Sequence, residues 1–240
     1  MLVKTGVPGL DKILKGGVRE NASILIKGAP GSGKTVFALN FIIDGAKNGE
    51  KGLFITTEDL DDIRAYAKSL DMDLEKYEKE KKVFLVSQVI SLKKLVSIAT
   101  PLDIIERNKI KRVAIDSLTI FKFSTWGNEL NYRKEILDLI NSMRKVLLIA
   151  ISEEDFTSVD INGYQPEEYL FDGVIRLLKV RKNNRYERCI QVIKMRGQDH
   201  SIDIYPLIIK EGGMFVYPDE IPFVLLEKET DFGSKNGKRS

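Results

Sequence analysis

Apolar residues in this chain arrive in short blocks, separated by longer stretches in which apolar positions recur every three or four residues. SILIKG (23–28), GLFITTE (52–58), VFLVS (83–87), RVAIDS (112–117) and VLLIAIS (146–152) are short, mostly apolar runs, which predict strands buried on both faces. Between them, KTVFALNFIIDGAKNG (34–49) predicts an amphipathic helix stopped by glycine. DLDDIRAYAKSL (59–70) predicts another, with acidic residues in its first turn where the helix dipole favours them. LKKLVSIATPLDIIERN (92–108) reads as a helical stretch broken at Pro101, and NELNYRKEILDLINSMRK (128–145) as a further helix.

After Phe171 the texture changes: VIRLLKV and YERCIQVIKMR flank a polar RKNNR, the pattern of a hairpin. IDIYPLIIKEGGMFVYP continues the β character. Strand–helix alternation followed by a β-rich end predicts an α/β fold with a mostly parallel sheet, flanking helices and a C-terminal antiparallel extension. No repeat divides the chain, so one domain is expected over residues 1–228, with 229–240 as a polar, basic, disordered tail.

Charge and cysteine content narrow the class. Thirty-eight basic and 35 acidic residues leave a net charge of +3, too small an excess to predict strong non-specific adhesion to nucleic acid or membrane. Cys189 is the single cysteine, so an intrachain disulfide is excluded and a reducing interior fits. The N-terminal MLVKTGVPGLDKIL lacks the apolar core of a secretion signal, and no apolar run approaches membrane-spanning length. The expectation is a soluble cytoplasmic protein.

GAPGSGKT, Gly28 to Thr35, sits between the first predicted strand and the first predicted helix. It fits G-x-x-x-x-G-K-[ST], with Gly28, Gly33, Lys34 and Thr35 at the fixed places. Glycines let consecutive backbone N–H groups turn inward around an anion, and the helix that follows adds its positive end. Lys34 supplies a cation to the β- and γ-phosphates, and the Thr35 hydroxyl suits Mg²⁺. The eight loop residues Gly28, Ala29, Pro30, Gly31, Ser32, Gly33, Lys34 and Thr35, with Val36 behind them, form the candidate ATP-binding loop. An ordinary glycine-rich turn would not need the Lys-Thr pair at this spacing.

Phosphoryl transfer needs more than this loop: a second carboxylate for the metal, a group that orients water, and positive charge on the phosphates. RVAIDS offers Asp116 at the end of a predicted strand, the position of a metal-ordering carboxylate. Glu58 and Asp59 end the strand after the loop's helix, and parallel pairing would bring them to the same edge. Asp59 also suits a helix cap; Glu58, with its longer reach, is favoured as the base. Lys194 and Arg196 lie two apart on a predicted strand and share a face, which by itself describes a solvated surface as well as a phosphate contact.

TGVPGLDKILKGGV at the start, GAPGSGKT, the acidic pair in TTED, RVAIDS and KMRGQDHS followed by YP together resemble the KaiC-like branch of the RecA superfamily of ATPases, over residues 4 to 217. The opening TG-x-x-G-[LF]-D-x-[IL]-x-x-GG motif and the K-[LM]-RG-x-x-H segment are the selective ones. The resemblance implies a RecA-like core assembled into rings, commonly hexamers, with ATP and Mg²⁺ at subunit interfaces. It implies Lys34 on phosphate, Thr35 and Asp116 at the metal, and Glu58 with Asp59 preparing water. It further implies that Lys194, Met195, Arg196, Gln198 and His200 come from the segment that meets the neighbouring subunit's nucleotide. The acidic pair is Glu-Asp here, where close relatives often carry Glu-Glu, and an ungapped alignment would put Thr57 in the first acidic place.

Recombinases of the same superfamily are the competing class. The stretch SEEDFTSVDINGYQPEEY (152–169) carries Glu153, Glu154, Asp155, Asp160, Glu167 and Glu168 and no Lys or Arg, which would repel phosphates. Phe121, Phe123 and Trp126 with Lys122 could stack on single-stranded bases, and Lys179, Arg181, Lys182, Arg185 and Arg188 form a basic cluster. The expected function is a slow Mg²⁺-dependent ATPase that forms a homo-oligomeric ring and serves a protein partner. The alternatives are an ATP-gated assembly platform with little hydrolysis and an accessory protein that binds single-stranded DNA.

Overall fold

The computed structural model describes residues 1–87, 99–118, 128–153, 165–182, 184–223 and 225. Two short strands, β1 (Leu2–Val3) and β2 (Val18–Arg19), pair antiparallel around a one-turn helix, α1 (Leu10–Ile13). The central run is β3 (Ser23–Gly28), α2 (Lys34–Lys47), β4 (Gly52–Thr56), α3 (Leu60–Ser69), α4 (Leu74–Lys79), β5 (Val83–Ser87), α5 (Ala99–Asn108), β6 (Arg112–Asp116), α6 (Glu129–Ser142) and β7 (Leu147–Glu153). A 3₁₀ turn (Pro166–Tyr169) then leads into β8 (Gly173–Lys182), β9 (Arg185–Met195), β10 (Ile204–Lys210) and β11 (Gly213–Val216).

Nine of these strands form one sheet in the order β11-β10-β9-β8-β3-β7-β6-β4-β5. Pairing is parallel from β8 through β5 and antiparallel from β8 to β11, as the change of texture after Phe171 predicts. The apolar runs are continuous because the sheet is covered on both faces. Ile24 and Ile26 pack into one core with Phe37, Phe41 and Ile42 of α2. Leu25 points into the other, with Ile136 and Leu139 of α6. Phe37, Phe41 and Ile42 are fully buried, each contributing about 1.5–3 kcal/mol of transfer free energy to seat α2 against the sheet.

Polar contacts hold the same helix in place. Arg112, buried at the start of β6, donates to the Phe41 carbonyl at 2.9 Å and pairs with Asp44 at 3.1 Å and Glu50 at 2.5 Å. The Asn40 amide of the same helix donates to the carbonyls of Gly6 and Gly212 and accepts the Met214 N–H. One helix side chain thereby ties together the N-terminal TGVPG segment and the β10–β11 turn.

Pro101 is a correction to the expected helix break. It lies within α5, with Ala99 and Thr100 helical before it. The expected helical residues 92–98 and the tail at 229–240 lie outside the described residues. The elements α1, α4, β1 and β2 and the 3₁₀ turn had no counterpart in the sequence reading. All are six residues or fewer, too short for periodicity to register.

Candidate active site at the carboxyl edge of the sheet

Parallel pairing carries the ends of β3, β7, β6 and β4 to one edge. Gly28 lies beside Glu153 and Leu177 in the register, and Thr56 beside Asp116. The phosphate-loop sequence therefore opens where strand carboxyl ends and a helix N-terminus meet, the usual anion-binding edge of such sheets.

Glycine is required here by space as well as by conformation. Gly33 precedes α2 with φ 105°, and a Cβ there would fall 2.7 Å from Ile209 and 2.9 Å from Met214. A Cβ on Gly28 would fall 2.5 Å from the Leu177 carbonyl. The Lys34 ammonium donates to the Gly28 carbonyl at 2.8 Å and the Ala29 carbonyl at 3.1 Å, folding its charge over the loop. Ser32 is fully buried, whereas Pro30 and Gly31 are exposed on the outside of the loop.

Thr35, the second residue of α2, donates its hydroxyl to Asp116 Oδ2 at 2.6 Å. Eighty-one residues separate this pair in sequence. Burial is the main influence on the Asp116 carboxyl and pushes its pKa up; the Thr35 hydroxyl and the Lys34 ammonium pull it down, while Glu58 and Glu153 push it up. This buried carboxylate beside a hydroxyl and a loop cation has the donor chemistry that a phosphate-bound Mg²⁺ needs. Among the described residues no group of three or more His, Cys, Asp or Glu side chains forms a metal cluster. A cation here would therefore rely on Thr35, Asp116, water and phosphate oxygens.

The two acidic residues after β4 separate in role. Asp59 is the N-cap of α3, with Oδ1 accepting the Asp61 N–H at 2.7 Å. Glu58 is exposed; among the described residues its carboxylate accepts no hydrogen bond, and its charge is felt at Asp116. Its backbone is held by Thr56 and Ser87, through the Glu58 N–H at 3.0 Å and the Glu58 carbonyl at 3.1 Å. Thr57 is fixed by its N–H, which donates to the Asp116 carbonyl at 3.2 Å.

Lys194 and Arg196 are not at this edge. Because β9 runs antiparallel to β8, Lys194 pairs with Val174, which pairs with Leu25, three residues back from Gly28 on β3. That puts its backbone about 10 Å back along the strands and about 10 Å across them from Gly28. The Lys194 ammonium donates to the Glu168 carbonyl at 2.6 Å, and Arg196 Nη2 to the Tyr169 carbonyl at 2.7 Å, consecutive carbonyls of the 3₁₀ turn. Burial, first, and the Arg196 charge lower the Lys194 pKa, against Asp172 and Glu168. Met195 is buried at the end of β9. Beyond it, Gln198 donates to the carbonyls of Leu14 and Gly17, and His200 Nδ1 lies 2.9 Å from the Ser201 carbonyl. The two most selective sequence motifs thus pack on each other at the edge opposite the phosphate loop.

Three residues at the loop's own edge had no expected role at the nucleotide, although two of them belong to the basic cluster. Glu153 ends β7 between the loop strand and the Asp116 strand. Lys179 and Arg188 face each other across the β8–β9 hairpin, which runs past Leu177 and overhangs the loop. Lys179 Nζ donates to the Pro30 carbonyl at 3.4 Å and Arg188 Nε to the Gly31 carbonyl at 3.2 Å. The length of the predicted hairpin was the available signal; its register against β3 was not. Phe121, Lys122, Phe123, Trp126, Glu154, Asp155 and Asp160 lie outside the described residues.

No helix of the described residues is long and apolar enough to cross a membrane. The family model described as the KaiC ATPase matches residues 3–221. A UPF0273 protein of Pyrococcus horikoshii is 28% identical, over 91% of this chain and 95% of its own. A circadian clock oscillator protein KaiC of Parasynechococcus marenigrum is 30% identical, over 89% of this chain but 44% of its own. The solved structure of a KaiC-like protein from Pyrococcus horikoshii superposes with TM-score 0.77 at 31% identity, covering 91% of this chain and 99% of that one. With a family match spanning nearly its whole length, the chain belongs to the KaiC family of ATPases.

Proposed function

We propose that this protein is a slow Mg²⁺-dependent ATPase whose site is completed between two copies of the chain. Supporting this reading above all is the split between the two edges of the sheet. Lys34, Thr35, Asp116 and Glu58 gather at one edge, and Lys194 with Arg196 at the other. No single subunit can bring both sets to one triphosphate. Copies that repeat head to tail, each presenting its far edge to the next copy's loop, form a closed ring if the rotation closes; a hexamer is the proposed state.

In that site the loop N–H groups and Lys34 hold the β- and γ-phosphates. Thr35 and Asp116 hold the cation, which when bound neutralises charge on the phosphate oxygens. Glu58 aligns the attacking water and takes its proton, while Asp59 caps α3 beside it. Lys194 and Arg196 of the adjoining copy place positive charge on the transferred phosphoryl group. Met195, packed in the core, and Gln198, bound to the Leu14 and Gly17 carbonyls, hold that segment in place, and His200 faces the same nucleotide. Lys179 and Arg188 act within one subunit: their charges on the outward carbonyls of Pro30 and Gly31 polarise the loop's peptide groups toward an anion.

That use of Lys179 and Arg188 favours the nucleotide site over nucleic acid as the purpose of the basic cluster. The output is a change of shape delivered to a protein partner. Phosphate release from Mg²⁺–ATP, with and without single-stranded DNA and beside Lys34→Ala, tests the reading. Turnover that needs Lys34 and ignores DNA is expected. Nucleotide binding without turnover would leave an ATP-gated platform, and strong stimulation by DNA would favour the accessory recombination role.

A further inference from the structure

One residue before the phosphate loop, Lys27 is fully buried and hydrogen-bonds Oε1 of Glu168. In the register Lys27 lies beside Ser152 on β7 and Arg176 on β8. Arg176 Nη2 approaches the same Glu168 oxygen at 3.7 Å, and Ser152 donates to Glu167 Oε1 at 3.2 Å. Glu167, Glu168 and Arg176 are all at most 6% exposed, so two cations and two anions are sealed beneath the strand that enters the loop. Desolvating four charges makes such a cluster a poor source of stability compared with apolar packing, and its best-attested use is to fix one arrangement or switch between two.

The two acids belong to the 3₁₀ turn whose carbonyls hold the far-edge cations. Glu168 is bound at both ends: its carboxylate takes Lys27, and its carbonyl takes Lys194. The next carbonyl, that of Tyr169, takes Arg196. We propose that Glu168 is a positioning residue that couples the two edges, so that nucleotide in a subunit's own loop sets the placement of the Lys194–Arg196 pair it offers to its neighbour. This rests on the reading that the pair acts in trans.

The trigger lies next to Lys27. Lys34 donates to the Gly28 and Ala29 carbonyls. Engaging a γ-phosphate draws that ammonium away and leaves the Gly28 carbonyl, one residue from Lys27, to find another donor. A packed interior passes small shifts on as discrete rearrangements. Lys27 then moves Glu168, and the turn moves both cations together.

The test is the ATP-concentration dependence of turnover in the assembled full chain. Coupling gives the unmodified protein a Hill coefficient of about 2. In Lys27→Met with Glu168→Gln, which removes one charge of each sign, the coefficient falls to about 1 and kcat falls on the order of 10- to 100-fold. Binding of a non-hydrolysable ATP analogue changes less than about twofold, because the loop itself is untouched. Lys27→Arg, which keeps the charge, retains the cooperativity. A merely structural role would lower the melting temperature and leave the coefficient where it was.

Should the double variant not fold, Glu168→Asp carries the same test by shortening the arm by one methylene. A Hill coefficient of 1 in the unmodified protein, or one unchanged in these variants, overturns the coupling. Turnover unaffected by Arg196→Ala instead overturns the trans reading on which it rests, so the two failures are told apart.

Discussion

The Thr35 hydroxyl donates to the Asp116 carboxylate at 2.6 Å, joining the phosphate loop to the end of a strand two places away in the sheet. The contact brings together the two side chains that would hold a cation. A charge-assisted hydrogen bond of this length holds the carboxylate in place, while burial works against its ionisation.

Asp116 is therefore expected to cost stability in the absence of metal. Its folded pKa is raised, so the native chain binds more protons than the unfolded one between the ordinary aspartate value and the raised value. Stability falls as pH rises through that window, and the penalty persists above it. Asp116→Asn should raise the melting temperature of the nucleotide-free protein at neutral pH by about 2–4 °C, as expected for roughly 1 kcal/mol in a chain of this size. It should also lose the Mg²⁺ dependence of ATP binding. A lower melting temperature at neutral pH would contradict the sign.

Glu58 and Asp59 should separate cleanly. Glu58→Gln is expected to keep ATP affinity and lower turnover by about 10²–10⁴-fold, the usual contribution of a general base. Asp59→Ala removes the cap on the Asp61 N–H and should cost about 1 kcal/mol in thermal or urea unfolding, with turnover within a few-fold of the unmodified protein. Reversed outcomes would exchange the roles.

Subunits with complementary lesions should rescue each other. Lys34→Ala keeps the far-edge cations but loses the loop cation; Arg196→Ala does the opposite. Each alone should hydrolyse ATP at least about 10²-fold more slowly, and a mixture should recover turnover at mixed interfaces. No recovery after mixing and reassembly would refute a site shared between subunits.

Lys179→Ala with Arg188→Ala should weaken nucleotide binding by roughly 3- to 10-fold, because two carbonyl-bound cations contribute about 1 kcal/mol at an exposed loop. The effect should shrink as salt rises. Fluorescent-nucleotide titration at low and high ionic strength checks both statements.

By itself the sequence determined the parts that depend on local order. Gly28–Thr35 reads as a phosphate loop because the required residues are consecutive. The strand-to-helix alternation gives the parallel sheet because buried strands and amphipathic helices have distinct periods. Asp116 was legible because it ends an apolar run, and Glu58 because it ends another. Only tertiary structure decided what depends on register. The hairpin's overlap with β3 places Lys179 and Arg188 on the loop, and the reversal of β9 sends Lys194 and Arg196 to the opposite edge. The pairing of Lys27 with Glu168 spans 141 residues and involves charges that sequence alone assigns to the surface. Strand pairing is fixed by side-chain packing across the sheet, and no local pattern along the chain records which strand will be the neighbour.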